Sequence, residues 1–158
     1  MIDSKELLIT LSATPMDRIT IIAEFPHADS ERLFDFWTKE DLLKSWWPPV
    51  AELRPEKNAG YHFSWPSQNW HLRGTFTDFT RGKSLEFTWK WDHENIEPTK
   101  VRLTFDPLPS GGARLTLHHG NYADNAEGKK IRDEHVEGWM YFLGQLQKQV
   151  EVESPKSQ

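Results

Sequence analysis

Three histidines, one tyrosine and a set of phased tryptophans are the residues of this chain with chemistry to offer. His135 lies one turn before Trp139 in the last helical stretch and shares its apolar face. An imidazole there can bond a strand carbonyl as a core histidine. It can also anchor a ligand's carbonyl or hydroxyl, or act as a general acid and base. His118 and His119 are neighbours in a strand, and neighbouring strand residues point to opposite faces, so the pair cannot hold one ion in regular geometry. His119 is in phase with Leu115 and Leu117 and is the inward one. Tyr61, Asp78, His119 and His135 are the polar groups expected near an interior cavity. His71 and Arg73 alternate with Leu72 and are expected to face solvent, unless a bulge in the long strand reverses the phase. If there is catalysis, His135, His119 and Tyr61 are its candidates. No HExxH and no carboxylate cluster occurs, so no metal and no cofactor is expected.

The aromatic residues supply the walls. Trp89 and Trp91 sit two apart, with Leu85 and Phe87 in the same phase. Tyr61, Phe63 and Trp65 repeat that phase upstream. Period two places each set on one sheet face. His135, Trp139 and Phe142 would form the facing helix wall. Two readings stand: an aromatic cavity that stacks on a flat apolar ligand, or an ordinary core. Gly138 is costly in mid-helix, by about 1 kcal/mol against alanine. Its presence implies a need for space, either for close packing or for a ligand; Gly144 carries the same hint more weakly. Trp46-Trp47-Pro48-Pro49 is either a gate to that space or a packed helix end.

These residues need elements to hold them. Arg18 to Phe25 alternates as a strand. Asp29 is an N-cap for a helix through Trp37, and Thr38 with Asp41 reads as a second cap for a helix across Leu42, Leu43 and Trp46. Pro48-Pro49 stops that helix. Strands follow at Val50 to Arg54, Tyr61 to Trp65, Trp70 to Phe79, Leu85 to Trp91, Thr99 to Phe105 and Arg114 to His119. Turn residues separate them, which suits an antiparallel meander. Ile131, His135, Trp139, Phe142, Leu143, Leu146 and Val150 recur at steps of three or four, placing one helix from about Lys129 to Val150. The fold class is α+β. Residues 1–16 form an N-terminal arm or an extra edge strand through Leu8 to Leu11, residues 17–150 the domain, and 151–158 a polar, frayed tail.

The 158 residues suit one domain. Apolar residues are only 37% and mean hydropathy is -0.71, while aromatics reach 13%. The core is therefore expected to consist of few, large side chains, each ring removing about 150–250 Å² from water. A net charge of -5 and a pI near 5.8 argue against nucleic acid and against an anionic membrane surface. The absence of cysteine excludes disulfides and thiol catalysis. Neither GxSxG nor a glycine-rich phosphate loop occurs. Acidic residues near Met1 and a short Leu7–Leu11 run do not suit a signal peptide or a membrane span, so a cytoplasmic protein is expected.

Several segments, in order, resemble a known family. They are Phe34-Asp35-Phe36-Trp37-Thr38, Leu42-Leu43-Lys44-Ser45-Trp46-Trp47-Pro48-Pro49, Gly60-Tyr61-His62-Phe63, Gly74-Thr75-Phe76, Ser84-Leu85-Glu86-Phe87-Thr88-Trp89, Arg114 to His119, and His135-Val136-Glu137-Gly138-Trp139. Together, over residues 17–150, they resemble the heat shock protein 90 ATPase activator homologue-like branch of the START-like (SRPBCC), helix-grip superfamily, which shares the birch-pollen-allergen fold. The resemblance implies a seven-stranded antiparallel sheet wrapped around the long C-terminal helix, with two short helices after the first strand. It also implies a small apolar ligand of lipid, polyketide or flavonoid type, held between sheet and helix. Some members are cyclases and a few partner the chaperone. Three functions are thus expected in turn: a ligand-binding protein, a polyketide cyclase or aromatase, and a chaperone-activating interaction module. A monomer or a weak homodimer through an edge strand is expected.

Overall fold

Alternation decides the sheet. In β2 (Arg18–Phe25) the residues Ile19, Ile21, Ala23 and Phe25 are all buried, and the residues between them are not. The same period runs through β6 (Ser84–Trp91), β7 (Thr99–Pro107) and β8 (Ala113–Gly120). The computed structural model describes residues 9–12 and 15–153. The expectations for Leu8 and the rest of the first eight residues, and for residues 154–158, lie outside it.

The sheet is antiparallel throughout, in the order β1-β2-β8-β7-β6-β5-β4-β3. Its eight described strands exceed the expected seven because β1 (Ile9–Leu11) pairs with the outer edge of β2, Leu11 opposite Ile21. At the far edge lie β3 (Val50–Leu53), β4 (Gly60–Trp65) and the long β5 (Trp70–Thr80). The ladder between β5 and β6 slips once, from Phe76 opposite Phe87 to Asp78 opposite Glu86. The extra residue is Thr77, so the strand keeps both Phe76 and, three positions on, Phe79 against the core. Asp78 is thereby turned outward, where it accepts from Ser84, Thr80 and Arg102. It does not belong to the cavity, and the expectation that placed it there is corrected by the bulge.

Gly74 is required by close approach: a Cβ there would lie 2.0 Å from the Thr88 carbonyl oxygen and 2.6 Å from the Tyr61 ring.

Helix α1 (Ser30–Thr38) opens on Asp29, whose Oδ1 accepts from the Arg32 N–H at 2.8 Å. Helix α2 (Glu40–Lys44) follows at once. The second cap is not made as expected. Lys39, not Thr38, occupies the cap position and makes no side-chain cap bond. The Thr38 hydroxyl instead donates back to the Phe34 carbonyl at 3.0 Å, the i−4 bond open to a helical threonine. Trp46 lies beyond the end of α2, and its indole donates to the Phe36 carbonyl at 2.9 Å. That bond ties the two helices together.

Helix α3 (Ala126–Glu153) begins and ends three residues outside the span read from the periodicity. Asn125 extends its start, its Oδ1 accepting from the Gly128 N–H at 2.8 Å. Ile131, His135, Trp139, Leu143, Leu146 and Val150 are buried along one face. Two polar side chains on the helix hold it to β2: Arg132 Nε donates to the Arg18 carbonyl at 3.0 Å, and Gln147 Nε2 to that of Glu24 at 3.2 Å. The fold is α+β, a sheet gripping its last helix.

Candidate functional site

A cavity of about 480 Å³ opens between the β4–β5–β6 end of the sheet and the middle of α3. Trp65, Trp89 and Trp91 come from the sheet; His135, Gly138, Trp139 and Phe142 come from the helix. Trp47 joins them from the α2–β3 connection, stacked on Trp89 with ring centroids 5.9 Å apart and planes within 17°. Trp70, 44% exposed, stands at the rim with His93 and Glu94. Trp46 packs the helix end, and Trp47 is one of the cavity's walls.

Of the expected site residues, Trp65, Trp89, Trp91, His135, Trp139 and Phe142 are brought to the cavity. Tyr61, Phe63, Phe87 and His119 are not among its walls. Tyr61 packs on Phe63, Phe76 and Phe87 at centroid distances of 4.6–5.6 Å, and its hydroxyl donates to the Thr88 carbonyl. Burial pushes its phenol well above the usual range.

His119 lies fully buried behind the wall. Trp139 Nε1 donates to its Nδ1 at 3.0 Å, and its Nε2 meets Thr99 Oγ1 at 2.8 Å. An indole N–H only donates, so Nδ1 must hold a lone pair and Nε2 carries the proton given to Thr99. Burial, and then the neighbouring His135, hold this imidazole well below the ordinary histidine range. His119 is therefore a neutral structural group. His118 is on the outer face, with Nδ1 3.2 Å from Thr20 Oγ1.

His135 has a different setting. Its Nε2 lies 3.0 Å from Glu94 Oε2, and its Nδ1 lies 2.7 Å from the Tyr122 hydroxyl. Its ring stacks on His119 at 5.0 Å, planes within 10°. Burial, and then the Glu94 carboxylate, raise the Tyr122 phenol far above its usual range. Glu94, His135 and Tyr122 thus form one hydrogen-bonded chain from the cavity wall inward. Two polar atoms of wall residues are buried without a partner: Trp89 Nε1 and Glu94 Oε1.

Sequence reasoning did not single out Glu94, Tyr122, Trp70 or His93. Glu94 and Tyr122 sit in connections, after β6 and after β8, where no periodicity marks a facing direction. Trp70 opens β5 in the phase of the buried Leu72 and Phe76 and pairs opposite Trp65, so period two marks it for this face, and its place at the strand end leaves it 44% exposed.

The fold and this site define a helix-grip protein of the START-like superfamily with an aromatic cavity between sheet and helix. The chain belongs to the family described as activator of Hsp90 ATPase homolog 1-like protein, whose pattern matches residues 27–151. Among curated proteins, none matches this sequence. Among solved structures, it is similar to protein MLL2253 of Mesorhizobium loti, at a TM-score of 0.77 and 16% identity over 87% of this chain and 99% of that one. A protein of Arthrobacter aurescens is similar at 0.71 and 21%, over 95% and 94%. CalU16 of Micromonospora echinospora is similar at 0.70 and 14%, over 90% and 83%. At these identities the likeness is one of fold, and fold alone does not carry function.

Proposed function

We propose that this protein binds a small, flat, largely apolar molecule in the cavity between the sheet and α3. Gly138 carries the reading. It lines the cavity, and a Cβ built on it would meet nothing within 4 Å. Close packing therefore does not require a glycine, although the residue weakens the helix by about 1 kcal/mol. The remaining reason is room, in a space whose volume falls in the range of about 300–1,000 Å³ usual for small-ligand sites. Lipid-, polyketide- and flavonoid-like molecules are the classes to try.

The test is intrinsic tryptophan fluorescence during titration with fatty acids, flavonoids and polyketide aromatics. Saturable quenching in the wild type, abolished in Gly138→Leu, supports the reading. A flat response across the panel rejects it and favours a protein-interaction role, with the chaperone as the first partner to assay.

A second reading, a cyclase- or aromatase-type enzyme, draws support from the Glu94–His135–Tyr122 chain alone. A carboxylate that orients an imidazole, with a phenol on the other ring nitrogen, has the parts of an acid–base relay. Tyr61 and His119 no longer enter it, because both are bonded within the core away from the cavity. Under this reading Tyr122→Phe retains ligand affinity and loses turnover. Equal turnover in the two proteins rejects the relay.

A further inference from the structure

Building on the ligand-binding reading, we infer that the cavity is made for a protonated amine carried on an apolar or aromatic body. Six indoles surround the space: Trp47, Trp65, Trp70, Trp89, Trp91 and Trp139. The negative faces of aromatic rings attract organic cations, tryptophan most of all. The charged residues in the lining are Glu94 and Glu134, and neither lysine nor arginine is among them. The nearby Lys90 ammonium is committed elsewhere, donating to the main-chain carbonyls of Trp91 and Glu94. Arg132 is committed to the Arg18 carbonyl.

Glu94 gives the attraction a direction. Its Oε2 is held by His135, while Oε1 is buried with no donor. A buried carboxylate oxygen without a donor is costly, and the cost is relieved by whatever supplies an N–H. A neutral imidazole satisfies the rest of the chain: Tyr122 donates to Nδ1 of His135, and Nε2–H donates to Oε2 of Glu94. The carboxylate charge is then left for the ligand. An alkylammonium group donates to Oε1 in a charge-assisted bond while its body lies along the indole faces. His93 and Glu134, both exposed, flank the entrance.

Calorimetric titration of the intact chain at pH 7.5 with three probes on a shared naphthylethyl body tests this. They are 2-(2-naphthyl)ethylammonium, 2-(2-naphthyl)ethanol and 3-(2-naphthyl)propionate. The ammonium should bind about tenfold or more tightly than the alcohol, and the propionate most weakly. In Glu94→Gln the ammonium-to-alcohol affinity ratio should fall to near unity. Glu134→Gln, at the rim, should change the ratio less than Glu94→Gln. An alcohol that binds as tightly as the ammonium, or a preference unchanged in Glu94→Gln, overturns the inference and leaves the pocket standing. Should Glu94→Gln unfold, the wild-type ammonium-to-alcohol ratio still decides. If these probes and the fatty acid, flavonoid and polyketide panel all fail to bind, the ligand-binding reading falls as well.

Discussion

Trp139 of the last helix donates its indole N–H to Nδ1 of His119 in β8, 3.0 Å away. The bond joins helix to sheet at full burial and leaves His119 room for a proton only on Nε2, which it shares with Thr99. A proton added at Nδ1 would break the contact with Trp139 and place a charge beside His135 in a dry interior.

Stability should therefore fall in acid through this group. The folded imidazole titrates well below 6.5, so at pH below about 6.5 the unfolded chain binds the extra proton and the native one does not. His119 contributes fully above that pH and less as the pH drops toward the folded value. Burial, and then Arg18 and Arg102, also lower His118, which adds in the same direction. Thermal unfolding followed from pH 7.5 to pH 5 should show a falling midpoint, with a shallower fall in His119→Asn. Parallel curves for the two proteins would refute the assignment.

Thr99→Val should leave the His119 Nε2–H without an acceptor inside the core. The expected loss is about 1–3 kcal/mol, the range for a buried donor deprived of its partner. Urea unfolding measures it, and a change below about 0.5 kcal/mol would mean that the bond contributes little.

The two open glycines of α3 separate stability from binding. Gly138 and Gly144 both have free space where a Cβ would sit, but only Gly138 lines the cavity. Alanine at either position should stabilise the protein by about 0.5–1 kcal/mol through helix propensity. Gly144→Ala should keep ligand affinity, whereas Gly138→Leu should lose it while remaining folded by circular dichroism. Equal binding in Gly138→Leu and wild type would remove the reason given for the glycine.

Gly74 should behave in the opposite way. A methyl there overlaps the Thr88 carbonyl, a backbone atom that cannot step aside, and the Tyr61 ring. Gly74→Ala should cost roughly 1–3 kcal/mol or more, as overpacking does. An unchanged denaturation midpoint would show that β5 and β6 can separate locally at no cost.

Much of the architecture is legible in the sequence. Leu85, Phe87, Trp89 and Trp91 declare a face by period two, and Ile131 to Val150 declare a stripe by periods of three and four. The family resemblance ordered those elements into a sheet around a helix. The eighth strand was open to either reading, because three residues of alternation at Ile9–Leu11 do not distinguish an arm from an edge. Asp78 faces outward against its phase because one extra residue, Thr77, shifts the register, and the alternation of β5 does not say where along the strand such a bulge falls. Thr38 with Asp41 has the spacing of a cap, but the Thr38 hydroxyl finds the carbonyl one turn behind it instead.

What the sequence by itself determined is which side chains turn inward, since local period decides the facing direction of strand and helix residues. That places Tyr61, Phe63, Trp65, Phe87, Trp89, His119, His135 and Trp139 in one interior. Which of them pack solid and which border an opening was decided only by tertiary structure, because it depends on how far α3 and Trp47 stand from each strand. The same holds for the Glu94–His135–Tyr122 chain. Its members come from two connections and a helix, and connections carry no periodicity. Their meeting is set by the path the chain takes after β6 and β8, with the polar atoms brought within 3.0 Å of one another by the closure of the helix onto the sheet.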